Sequence, residues 1–157
     1  MWQPARTGER APWYVVVLRV VAVVIALAVL GGFCYIAFRL TLTPVRDNGQ
    51  AGGNTDPGDS LRFYMDRPKK EALLQLGGNL ALLAPMGVLL PVVSRGLRGP
   101  LRLAVVTGLF SLAIETVQGA FVIGRAFDID DVILNVVGVV IAYFLLGRRL
   151  SRTVRGT

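Results

Sequence analysis

Apolar residues in this chain come in long blocks, not at an alternating period, and the blocks are long enough to cross a bilayer. Four can be separated: about Tyr14 to Phe38, Leu73 to Val93, Leu101 to Ile123 and Val132 to Leu146. The first holds an uncharged run of 19 residues, Val20 to Phe38, which at about 1.5 Å per residue matches a hydrocarbon core about 30 Å thick. That run is too long for a signal-peptide core, and no small-residue cleavage site follows it, so it is expected to be a retained anchor. The second contains Pro85, Gly87 and Pro91. Proline removes a helical donor and clashes with the carbonyl four residues back, which predicts a kink between Ala81 and Gly87. The fourth block is short, so its ends are expected to reach the interface. The pattern predicts an all-α integral membrane bundle of four transmembrane helices.

Between the first two blocks, residues 39–72 carry the run Asp47-Asn48-Gly49-Gln50-Ala51-Gly52-Gly53-Asn54-Thr55-Asp56-Pro57-Gly58-Asp59. Gly, Asn, Asp and Pro at this density predict a flexible loop without a core of its own, and Leu61, Phe63, Tyr64 and Met65 could dip into the interface after it. The remaining parts are an N-terminal tail, 1–13, a core at 73–147 with the last three spans, and a basic tail at 148–157.

Charge gives the orientation. Arg6, Arg10 and Arg19 precede or open the first block, Arg95, Arg98 and Arg102 link the second and third, and Arg148, Arg149, Arg152 and Arg155 end the chain. The last two groups include no acid. The link before the fourth block has three Asp against Arg125. The positive-inside rule then puts both termini in the cytoplasm and the 39–72 loop outside, although Arg67, Lys69 and Lys70 lie close to the second span.

Composition agrees. The 157 residues are 54% hydrophobic, with a mean hydropathy of +0.59, too apolar for an ordinary soluble domain. The net charge of +7 lies beside the apolar blocks, where it meets anionic lipid headgroups, and not in an aromatic-interleaved module of the kind that binds nucleic acid. Histidine is absent and Cys34 is the single cysteine, which excludes His-based triads, His metal ligands and an internal disulfide. No cofactor motif is present.

Candidate chemistry lies in polar residues inside the apolar blocks, where an ionisable group costs a few kcal/mol unless it faces a partner or a ligand. These are Asn79, Glu115, Gln118 and Asn135, with Arg125, Asp128, Asp130 and Asp131 in the link above. Under this topology each of the four lies about 5–10 Å below the outer end of its span, which suggests a pocket open to one side. Glu115 and Gln118 share a helix face at i, i+3. Asp131, Asn135, Gly138 and Ala142 form one stripe, in which Gly138 and Ala142 allow close helix approach, including assembly into a homo-oligomer. Structural readings stand beside these. Asp128 can cap the fourth helix, with Asp131 at its third position. The amides Asn79, Gln118 and Asn135 can be interhelical hydrogen bonds. Arg125 can neutralise the aspartates or pair with Glu115, and Pro85 and Gly87 can serve the kink.

Three ordered motifs, Asn79-Leu80-Ala81-Leu82-Leu83-Ala84-Pro85-Met86-Gly87, Ser111-Leu112-Ala113-Ile114-Glu115-Thr116-Val117-Gln118 and Arg125 through Gly138, resemble the VanZ-like family across about Leu73 to Leu146. Ala84 stands where that family has a bulky apolar residue, and the long 39–72 loop is less typical. The resemblance implies a small bacterial envelope membrane protein; the family's namesake is associated with resistance to glycopeptides, notably teicoplanin.

The function expected first is a non-enzymatic envelope factor whose ligand-binding residues are Asn79, Glu115, Gln118, Arg125, Asp128, Asp131 and Asn135. Its partners would be membrane lipids and a lipid-linked cell-wall precursor or a lipoglycopeptide at the outer leaflet. The alternative is an enzyme acting on such a lipid, with Glu115 as general base and Asp128 and Asp131 holding a divalent cation such as Mg²⁺. Ser111 has no evident activating base. A subunit of a larger complex or transporter is the third reading; no inverted repeat is visible, and no charge lies in the inner half.

Overall fold

The computed structural model describes residues 12–44 and 53–155. Arg6, Arg10 and the run Asp47 to Gly52 lie outside the described residues. Four helical passes are long and apolar enough to cross a membrane: Trp13–Thr41, Lys69–Val93, Pro100–Phe121 and Ile129–Val154. The first is one helix, α1 (Trp13–Thr41). The second is two, α3 (Lys69–Leu82) and α4 (Ala84–Val93), broken at Leu83. Pro85 sits in the first turn of α4 and cannot donate to the carbonyl of Ala81, so the helix restarts where the kink was expected. A 3₁₀ turn, Arg95–Leu97, leads to α5 (Pro100–Phe121). The fourth pass comprises α6 (Ile129–Ala142), a π-helical stretch Tyr143–Gly147, and α7 (Arg148–Arg155).

Two boundaries differ from expectation. The fourth pass is not short: Asp128 caps its start, and the arginines after Leu146 continue the helix where a separate tail was expected. Long cationic side chains reach headgroups from a helix end without breaking it. The 39–72 segment is not structureless throughout. It contains a short helix, α2 (Asp59–Met65), and α3 already starts at Lys69.

The packing is inverted relative to a water-soluble bundle. Leu, Val and Phe cover the outside, while Thr107, Ser111, Glu115, Gln118 and Asn135 are buried inside. Lipid offers polar groups no partners, so they turn inward. Helix α6 is central, packed against α5, α3 and α4, around a core of Leu83, Met86, Leu103, Val139 and Tyr143. Contact between α6 and α3 is backbone on backbone, since a Cβ on Gly138 would stand 1.8 Å from the Leu80 carbonyl oxygen. A Cβ on Gly87 would stand 2.2 Å from that of Val139, so Gly87 serves close packing as well as the break. In contrast α1 is peripheral: 6% of its apolar window is buried, against 28% in each other pass.

Candidate functional site

One end of the bundle, where α1 and α5 finish and α3 and α6 begin, gathers the polar residues. Helix α5 turns Leu103, Thr107, Ser111, Glu115 and Gln118 inward, a stripe at helical spacing in which four of five positions are polar. Facing it, α6 buries Asp130, Asn135 and Gly138. The link between these helices folds back onto α5 because Gly119 has no side chain; a Cβ there would lie 2.8 Å from the Phe127 nitrogen. This brings the Asp128 N–H to 3.3 Å from a Glu115 carboxylate oxygen.

Each candidate can now be placed. Asp128 caps α6, accepting from the Asp130 N–H at 2.9 Å, and also accepts from Asn54 Nδ2 at 3.0 Å and from the Ser60 hydroxyl. Both of its oxygens are thereby engaged by the chain. Asp130 accepts from the N–H groups of Gly58 at 2.7 Å, Ser60 at 2.9 Å and Leu61 at 3.3 Å, and from Asn54 Nδ2 at 3.3 Å. The orphan donors that open α2, after Gly58 at φ 97°, therefore converge on one carboxylate. Asn54 also pairs through its backbone with the link, donating to Phe127 O at 2.7 Å and accepting from the Ile129 N–H at 3.0 Å. Residues 54–61 form a strap tied across the start of α6.

Gln118 and Arg125 serve the end of α1. Gln118 donates to the Thr41 carbonyl at 2.8 Å and Arg125 to that of Leu40 at 3.0 Å, satisfying two of the acceptors a helix end leaves open. The Glu115–Arg125 ion pair is not formed; among the described residues the one salt bridge joins Arg62 and Asp59 at 3.9 Å. Instead the guanidinium is drawn to the α1 carbonyls, where the helix dipole favours a cation. Asn79 donates to Asp131, and Asn135 Nδ2 donates to the Ser111 hydroxyl at 3.0 Å. That hydroxyl meets an amide and not a base, so the arrangement does not activate Ser111 as a nucleophile.

Some polar atoms remain unmatched. Glu115 is 5% exposed, and among the described residues its only hydrogen bond is that from the Asp128 N–H. Asn135 is 1% exposed, and its Oδ1 has no partner. Arg125 Nε is likewise buried without one. Glu115, Asp128 and Asp131 lie within electrostatic range of one another and of Arg125. No group of three His, Cys, Asp or Glu side chains placed to hold a metal ion comes together among the described residues, and both Asp128 oxygens already accept hydrogen bonds from the chain.

Two cavities flank this end. An apolar groove of about 330 Å³ runs between α1 and α5, with Ala37, Phe38, Thr41, Ala113, Ile114 and Val117 among its walls. A more polar one of about 300 Å³ lies between α2 and α3, walled by Phe63, Tyr64, Arg67, Glu71, Leu74 and Gln75. Burial, and then the charges of Asp131 and Asp128, hold the Tyr64 phenol above its ordinary pKa of 10, while Arg67 pulls it down.

Nothing in the residue pattern alone marks Asn54, Ser60 or the strap role of Asp130. An Asx-rich stretch reads as a turn wherever it docks, and the nearest signal is the excess of aspartates over the single cap that α6 needs.

The fold and this end together define a multi-pass membrane protein whose four helical passes enclose a polar cluster near one membrane face. The VanZ/LLP1 family model matches residues 21–150, and the chain belongs to that family. No curated protein and no solved structure matches it significantly.

Proposed function

We propose that this protein is a non-enzymatic envelope factor that holds a lipid-tailed molecule at the outer leaflet, with the polar head at Glu115 and Asn135 and the tail in the α1/α5 groove. One observation carries the reading: the buried Asn135 Oδ1 has no donor, and Glu115, which takes a single hydrogen bond, directly follows Ile114 in the wall of the apolar groove. A buried acceptor left unmet costs about 1–3 kcal/mol, so a ligand that donates hydrogen bonds recovers that cost on binding. Asn135 Oδ1 and the singly bonded Glu115 carboxylate are acceptors, which favours a head group rich in amine, amide or hydroxyl donors. Asp131, Asn79 and Arg125 would frame the head, while Asp128 and Gln118 hold the frame.

The outer-leaflet placement rests on charge. Arginines cluster at the other end, at 95–102 and 148–155, and the positive-inside rule puts that end in the cytoplasm. Lipid-linked cell-wall precursors and the acylated glycopeptide teicoplanin both join a donor-rich head to a tail.

The test is teicoplanin susceptibility in a glycopeptide-sensitive host, comparing wild type, Glu115→Gln and Ala113→Phe at matched membrane levels. Protection by wild type that is lost with either substitution supports head and groove together. No protection by wild type removes the glycopeptide part. Equal protection by both variants means that this site is not where the ligand sits.

A further inference from the structure

At the opposite end of the bundle a second groove, of about 410 Å³, lies between α1 and the 3₁₀ turn after α4, walled by Val16, Arg19, Val20, Val23, Val24 and Arg95. We propose that it is a binding site for an anionic phospholipid, its phosphate held between Arg19 and Arg95 and an acyl chain lying along the valines.

Four observations lead there. Arg19 sits six residues into α1 from its start at Trp13, about 9 Å along the axis, among apolar residues on both sides. Among the described residues neither Arg19 nor Arg95 makes an ion pair or a side-chain hydrogen bond, and no described acid lies at this end. The wall between them is valine, with Val16, Val20 and Val24 open to lipid. Trp13 and Tyr14, edge to face at 6.2 Å and both exposed, mark the headgroup level just above. Two guanidiniums are matched by one phosphodiester, because each fork can take two of its oxygens. An apolar wall continuing into the bilayer selects a lipid over free phosphate.

The occupant differs from that of the polar end in charge, and the site stands whether or not the proposed function does. The test uses the full chain in a neutral detergent, with retained lipid counted by native mass spectrometry. Phosphatidylglycerol is the probe, and phosphatidylcholine and inorganic phosphate are the comparisons. Wild type is expected to retain phosphatidylglycerol in preference to phosphatidylcholine, and inorganic phosphate at millimolar level should not displace it. Arg19→Gln and Arg95→Gln should each weaken retention about fivefold, the share of one arginine at an anionic lipid surface. Arg149→Gln, at the same end but outside the groove, should leave it unchanged. Equal retention of the two lipids, displacement by free phosphate, or an equal loss with Arg149→Gln would each overturn the proposal. The two groove variants lie on different elements, so either one that stays monodisperse suffices.

Discussion

Asp130→Asn should release the strap over the polar end while leaving the bundle intact. In the native protein one oxygen of Asp130 takes the Gly58 N–H, and the other takes Ser60, Leu61 and Asn54 Nδ2. An amide of the same shape offers one acceptor, so its NH₂ must face a backbone donor. If the remaining oxygen serves Ser60 and Leu61, the 2.7 Å bond from Gly58 becomes donor against donor. Hydrogen bonds to a charged acceptor are each worth about 1.5–3 kcal/mol; losing one and weakening the others costs the closed strap about 3 kcal/mol. At about 1.4 kcal/mol per factor of ten, the open population rises by about two orders of magnitude. Hydrogen exchange at the Ser60 and Leu61 amides reads this directly. Their protection should fall by about a hundredfold, with little change in the interior of α5. Protection that stays within about fivefold of wild type would refute the idea that this carboxylate closes the strap.

Two further outcomes are expected. Gly138→Ala places a methyl 1.8 Å from the Leu80 carbonyl, so α3 and α6 must part, at a cost of about 3 kcal/mol or more and a melting temperature lower by about 6–12 °C; Gly31→Ala, with nothing within 4 Å, should melt at or above wild type, and equal melting of the two variants would contradict the close packing. The Tyr64 phenol is raised by burial and by Asp131 and Asp128, so ultraviolet titration should find it ionising above 10, and Asp131→Asn should bring it down. Because the folded value is the higher one, the stability this group contributes is complete below pH 10 and is lost as pH rises through the folded value.

Most of the membrane architecture was legible in the chain. Block length located the four passes, Pro85 located the break in the second, and the small residues located the face of α6. Each of these is a local property, set by bilayer thickness, by one missing N–H or by helical period. The polar end was legible only as a list. Asn79, Glu115, Gln118 and Asn135 stood out because lipid penalises them, but that penalty is the same whether a residue is a structural tie or a ligand contact.

Only the tertiary structure gave them their hydrogen-bond partners. It assigned Gln118 and Arg125 to the end of α1 and Asp128 and Asp130 to the strap, left Asn135 Oδ1 without a donor, and gave Glu115 a single hydrogen bond. It also brought Asn54 and Ser60 across a sequence separation of about seventy residues to meet Asp128. The sequence by itself determined that the chain crosses a membrane, where it does so and at which end its acids gather, since those depend on transfer energies along one segment. Which side chains satisfy one another depends on which helix ends meet, and that is decided by the packing of α6 against its neighbours through glycines that allow backbone contact.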